Sequence, residues 1–136
     1  EKLITFQTVM AQGTFEVLHP GHEYYLKEAK KLGKRLVVVV ARDKRAEALR
    51  DRKLRLGEEE RLRNVAALPY VDEAILGDED DPHNSIKKIQ PDIIALGYDQ
   101  KSFMMGLGEK IKSLGLKTKI ARIQPHLEDQ YKSSLM

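Results

Sequence analysis

Leu36-Val37-Val38-Val39-Val40 is an unbroken apolar run, almost wholly β-branched. Such a run predicts a strand covered on both faces. Ahead of it, Tyr25, Leu26, Ala29 and Leu32 recur at helical spacing, while Lys27, Glu28, Lys30 and Lys31 take the opposite side. That pattern predicts an amphipathic helix after His22, closed by a capping Gly33. Further back, the mostly apolar stretch from Leu3 to Ala11 is interrupted by Thr5, Gln7 and Thr8. Residues 4–11 are read as a strand, because Gly13 ends them and a helix follows. Strand, helix and strand in this order form a βαβ unit, which requires parallel pairing.

The same alternation continues. Asp43 is read either as a helix N-cap or as a residue near a ligand, since it follows a strand's carboxyl end. Residues 44–57 are dense in charge, including Lys44, Arg45, Arg50, Asp51, Arg52, Lys53 and Arg55, and most of them read as a solvated helix and loop, Lys53 excepted. A helix is expected over Glu58–Leu68, with Leu62, Val65 and Ala66 inward, three glutamates in its first turn and Pro69 stopping it. Val71–Leu76 gives a third strand. Asp81 as N-cap and Pro82 at the first helical position begin the next helix. Ile93-Ile94-Ala95-Leu96 is a fourth, central strand. Phe103, Leu107, Ile111 and Leu114 mark a last helix ended by Gly115, and Lys117–Ile123 a fifth strand. The expected fold is α/β: a five-stranded parallel, doubly wound, Rossmann-like sheet in a single domain over residues 1–136.

Composition narrows the class. With 136 residues, 41% hydrophobic and 33% charged, the chain is globular. No apolar run approaches a membrane span, and residues 1–4 carry no signal-peptide pattern. The absence of an initiator Met suggests a short missing N-terminal piece. Zero cysteines exclude disulfides and thiolate metal sites and fit a cytoplasmic protein. A net charge of +3, evenly spread, suits a phosphorylated ligand and does not argue for nucleic acid.

The candidate chemistry lies between the first strand and the first helix, in Gly13-Thr14-Phe15-Glu16-Val17-Leu18-His19-Pro20-Gly21-His22. A strand-to-helix turn gathers backbone N–H groups and the positive end of a helix dipole, a ready anion site. Gly13 removes a Cβ and lets a phosphate approach the backbone. Thr14 offers a hydroxyl and an N–H. Pro20 fixes φ at the helix start, and Gly21 leaves room between two imidazoles. His19 and His22 can each donate to phosphate and carry charge near neutral pH. Placed beside an α-phosphate under attack, they would stabilise the developing negative charge.

Gly13-Thr14-Phe15 followed by His19-Pro20-Gly21-His22 resembles the signature of the nucleotidyltransferases with a His-x-Gly-His motif. The similarity extends over nearly the whole chain and is strongest to the cytidylyltransferase-like group, which holds glycerol-3-phosphate cytidylyltransferases and archaeal FAD synthases. The resemblance implies an enzyme that joins a nucleoside monophosphate from ATP or CTP to a phosphorylated acceptor and releases pyrophosphate. It implies that Lys53 and Arg61 orient phosphates, and that Phe15 lines the nucleotide together with Gly13, Thr14, Pro20 and Gly21. It further implies that Asp99 contacts the nucleotide, and that Tyr131, Ser133 and Ser134 belong to a second, hydroxyl-rich motif near the triphosphate. Magnesium or another divalent cation is implied by triphosphate chemistry, with no protein metal site identified. A homodimer is suggested by the resemblance alone.

Two departures bear on the acceptor. Glu16 stands where the family usually has Asp, and the tail lacks the longer Arg-Thr-x-Gly segment of the glycerol-3-phosphate enzymes. The second favours FAD synthesis from ATP and FMN over transfer from CTP to glycerol 3-phosphate. A nucleotide-binding module without catalysis is the alternative from another class.

Overall fold

The β-branched runs become the middle of a parallel sheet. A computed structural model describes residues 6–15, 20–50, 56–78, 81, 83–97 and 104–123. In chain order these form β1 (Phe6–Gly13), α1 (Pro20–Lys30), β2 (Gly33–Val40), α2 (Asp43–Arg50), α3 (Glu58–Ala66) and β3 (Glu73–Leu76). They continue with α4 (Asn84–Ile89), β4 (Ile93–Leu96), α5 (Leu107–Ser113) and β5 (Lys119–Arg122). The sheet has five strands in the order β3-β2-β1-β4-β5, all parallel, as expected for the doubly wound class.

β1 lies at the centre. It pairs with β2 from Phe6↔Gly33 to Gly13↔Val40, and with β4 only from Val9↔Ile93 to Ala11↔Ala95. The chain builds outward from β1 through β2 to β3, then crosses to the other side for β4 and β5. The order therefore reverses between β1 and β4, where ligands of open α/β sheets bind, outside the strands' carboxyl ends.

Alternation along the strands divides the core. On one face Val9, Ala11, Val38, Val40 and Ala95 pack with Leu26 and Ala29 of α1 and Val65 of α3. On the other, Met10, Val39, Ile94 and Leu96 meet Ile86 of α4 and Leu107 and Ile111 of α5. Burying each Leu, Ile or Val fully is worth about 1.5–3 kcal/mol, so these layers hold the strand ends in place.

At the amino edge, carboxylates cap the strands. Asp92 accepts from the Gln7 and Thr8 amides at 3.1 and 2.9 Å. Asp72 accepts from the Leu36 amide at 2.7 Å and from Lys30 Nζ at 2.5 Å. The lysine first, and then the amide, hold the Asp72 carboxyl below the ordinary carboxylate range.

Several element ends differ from expectation. β1 runs on to Gly13, because the Gly13 carbonyl accepts from Ala41 N at 2.9 Å and extends the ladder with β2. α1 begins at Pro20, so His22 lies inside its first turn. Gly33 is not a cap: Leu32 N donates to Ala29 O at 3.1 Å, a tightened last turn, and Gly33 enters β2 directly. β3 and β5 are shorter than read. Asp81 shapes the turn before α4, its carboxylate accepting from His83 N at 2.9 Å, and the helix starts at Asn84. Pro82 lies outside the described residues. Gly115 follows α5 at φ +72, a conformation that suits glycine, as its reading as a helix terminator requires.

Candidate active site at the carboxyl edge

Beyond Gly13 the backbone turns sharply. Phe15 has φ 54, in the left-handed region that non-glycine residues adopt at a cost of about 1–2 kcal/mol. Its ring is 3% exposed. The ring folds back over Gly13: a Cβ on that glycine would stand 2.7 Å from Phe15 Cζ and 2.8 Å from Cε2. Space read from sequence as room for a phosphate is thus filled on this side by an aromatic ring, because burying Phe15 requires it. The edge of the same ring assembly meets His22, with centroids 5.4 Å apart and planes at 73°. T-shaped pairs of this kind are favourable and directional. Phe15 therefore fixes the half-buried imidazole of His22 from one side, and the first turn of α1 fixes it from below.

Tyr25, one turn further along α1, secures this helix to the switch point. Its buried hydroxyl donates to Ala95 O of β4 at 2.5 Å, and the Gln12 amide of β1 donates to it at 3.3 Å. One side chain of α1 thus touches both strands that flank the crevice, at the last rung of their ladder.

A chain of ionic hydrogen bonds lies across the ends of β1, β2 and β3. Arg61 in the first half of α3 is 0% exposed. It donates from Nη1 to Thr14 O at 2.8 Å, from Nε to Leu56 O at 3.1 Å, and from Nη2 to Asp43 Oδ1 at 2.7 Å. Asp43 opens α2, and its backbone N–H donates to Glu58 Oε1 at 2.8 Å. Glu58 also accepts from Arg42 Nη1 at 3.1 Å, and Arg42 Nε reaches Gly77 O, just past β3, at 2.8 Å. Sequence reasoning missed Arg42 and Glu58; the available signal was a charged pair directly following one buried strand and opening the next helix. Of the two readings for Asp43, it does begin a helix, and its side chain is spent on Arg61.

The structure thus gathers Gly13, Thr14, Phe15, Pro20, Gly21 and His22 at one strand-to-helix turn, and joins Arg61 to it through the Thr14 carbonyl. The fork of Arg61, expected to orient a phosphate, is directed at protein acceptors. Glu16, His19, Lys53, Asp99, Tyr131, Ser133 and Ser134 lie outside the described residues. Among the described residues no group of three or more His, Asp or Glu side chains gathers to hold a metal ion. These residues do not fit a dedicated cage for a divalent cation. Among them, too, no helix is long and apolar enough to cross a membrane.

Residues 10–134 match the Cytidylyltransferase-like family. The chain is 48% identical over 126 residues to the FAD synthase of Archaeoglobus profundus, covering 93% of this chain and 80% of that protein. It is 51% identical over 116 residues to the FAD synthase of Ferroglobus placidus, covering 85% and 75%. Among solved structures, it is similar to the lipopolysaccharide core biosynthesis protein from Thermoplasma volcanium, with TM-score 0.82 and 47% identity over 90% of this chain and 99% of that one. The chain belongs to the cytidylyltransferase-like family and is a nucleotidyltransferase.

Proposed function

We propose that this chain is an FAD synthase, transferring the adenylyl group of ATP to FMN. An FMN phosphate oxygen attacks the α-phosphorus of ATP in line. The bond from that phosphorus to the α–β bridging oxygen breaks, and pyrophosphate leaves with the electron pair. The observation that carries this reading is the contact of Phe15, just past the carboxyl end of β1, with His22 in the first turn of α1, beside the strand-order reversal. Identity of 48% and 51% to archaeal FAD synthases supports ATP and FMN as the substrates.

In this reading His19 and His22 donate to the α-phosphate as charge builds there, with no covalent role. The backbone at Thr14 and Phe15 lines the nucleotide with Gly13, Pro20 and Gly21, the Phe15 ring itself being buried. Lys53 supplies a mobile positive charge, Asp99 accepts from the nucleotide, which Tyr131 also contacts, and Ser133 and Ser134 hold the leaving pyrophosphate. A magnesium ion arriving on the triphosphate would supply charge neutralisation when bound, held mainly by phosphate oxygens and water. A homodimer completes the proposal.

Initial rates of pyrophosphate release for each pairing of ATP or CTP with FMN or glycerol 3-phosphate test it. The reading expects release with ATP and FMN and formation of FAD in equal amount. Turnover confined to CTP and glycerol 3-phosphate would replace it with the cytidylyl reaction. Nucleotide binding without turnover for any pairing would mark a binding module.

A further inference from the structure

Arg61 holds two distant stretches of backbone at once. Through Thr14 O it holds the residue before Phe15, and through Leu56 O the residue two before the start of α3. Asp43 in turn holds Arg61, and Glu58 holds the Asp43 amide while it also pairs with Arg42. The anchorage therefore extends from the end of β1 across the ends of β2 and β3.

We infer that the Asp43–Arg61 pair is a positioning latch for the transfer reaction: it sets the Thr14 carbonyl and, through the Phe15 ring, the orientation of His22. This rests on the nucleotidyl-transfer reading above. Three observations separate a latch from a phosphate grip. The guanidinium is 0% exposed. Its Nε, Nη1 and Nη2 each already donate to a protein oxygen. Its charge faces a carboxylate at 2.7 Å, which cancels much of the attraction it could offer a triphosphate. A planar fork pre-organised in this way suits the fixing of several acceptors at once, and lysine could not reproduce it.

The test uses Asp43→Asn, Arg61→Lys and the double variant, each confirmed folded by thermal melting. Asn keeps an oxygen acceptor for Nη2, so it perturbs the latch without removing it. Two readouts are taken: steady-state kinetics with ATP and FMN, and the imidazole resonances of His22 in the ligand-free protein labelled with nitrogen-15. The latch predicts that each single variant loses about 10–100-fold in kcat, since small misplacements of reacting groups have costs of this order. It predicts a KM for ATP within about twofold of the parent, consistent with lost positioning and not lost ground-state binding. The double variant should be no slower than the slower single one, and the His22 resonances should move in Asp43→Asn. A tenfold rise in KM for ATP with kcat retained in Arg61→Lys would mark a phosphate grip and overturn the latch. So would losses that multiply in the double variant, or His22 resonances that stay in place. If the parent protein forms no nucleotidyl product with any pairing, the transfer reading fails by itself, and the His22 resonances still decide whether the pair sets the turn.

Discussion

Phe15 occupies a backbone region that favours glycine, and it does so with its ring against Gly13 on one side and His22 on another. Gly13→Ala would drive a methyl into a ring that is 3% exposed and has little room to yield. Overpacking of this kind costs about 1–3 kcal/mol. The variant should be less stable by that amount, melting earlier, and should also lose kcat, because the ring proposed to orient His22 is displaced; melting curves and initial rates report the two effects separately. At the other edge of the sheet, the depressed Asp72 carboxyl makes an acid-side prediction. Its folded-state pKa lies below the unfolded value, so its contribution is complete above the ordinary carboxylate range and is lost as pH falls through the depressed value. Asp72→Asn should lower Tm near neutral pH, with a loss of stability of no more than about 1 kcal/mol for so exposed a pair. The gap to the parent should begin to narrow as melts are carried below about pH 4 and close only below the depressed value.

Single residues were legible in the sequence where chemistry alone identifies them. The His22 imidazole could be named from its glycine and proline neighbours, without coordinates. Arg61 could not be understood that way. Its partners Thr14, Asp43 and Leu56 come from three separate stretches, and only the folded sheet edge brings them together. Gly13 illustrates the same limit: a missing Cβ is visible in the sequence, but which group fills the space is not.

Among the elements, β2 and β4 were readable because a fully buried parallel strand is a continuous apolar run. Ends were harder to read, since they are set by hydrogen bonds to distant groups, as when Ala41 N extends β1 to Gly13. The end of α4 yields a prediction of its own. Gln90 caps that helix at φ 50, ψ 58, is exposed, and donates its amide to Ile86 O at 2.7 Å. Glycine adopts this conformation without the Cβ clash and keeps the amide. Gln90→Gly should therefore raise stability by about 1 kcal/mol, or roughly 2–5 °C in Tm, with activity unchanged. A fall in Tm would mean that the glutamine side chain makes a contact worth more than the strain.

At the scale of the molecule, the β-α alternation implied a parallel doubly wound sheet, but the order of its strands was not written in any periodicity. That order matters most for function, because it puts the His22 turn where β1 and β4 part. In the proposed reaction fixed donors are needed around one phosphorus atom, and a strand end, a helix start and a buried ionic chain would fix them. The proposed homodimer is open to light scattering coupled to gel filtration, which should return twice the mass of one chain.

The most direct test of the transfer chemistry is the rate of FAD formation by His22→Ala at saturating ATP, FMN and magnesium. Loss of one preorganised donor to the reacting phosphate should slow the reaction by about 10²–10³-fold while the variant still binds ATP. A rate within tenfold of the parent would contradict the account, since the group it places at the developing charge would then contribute almost nothing.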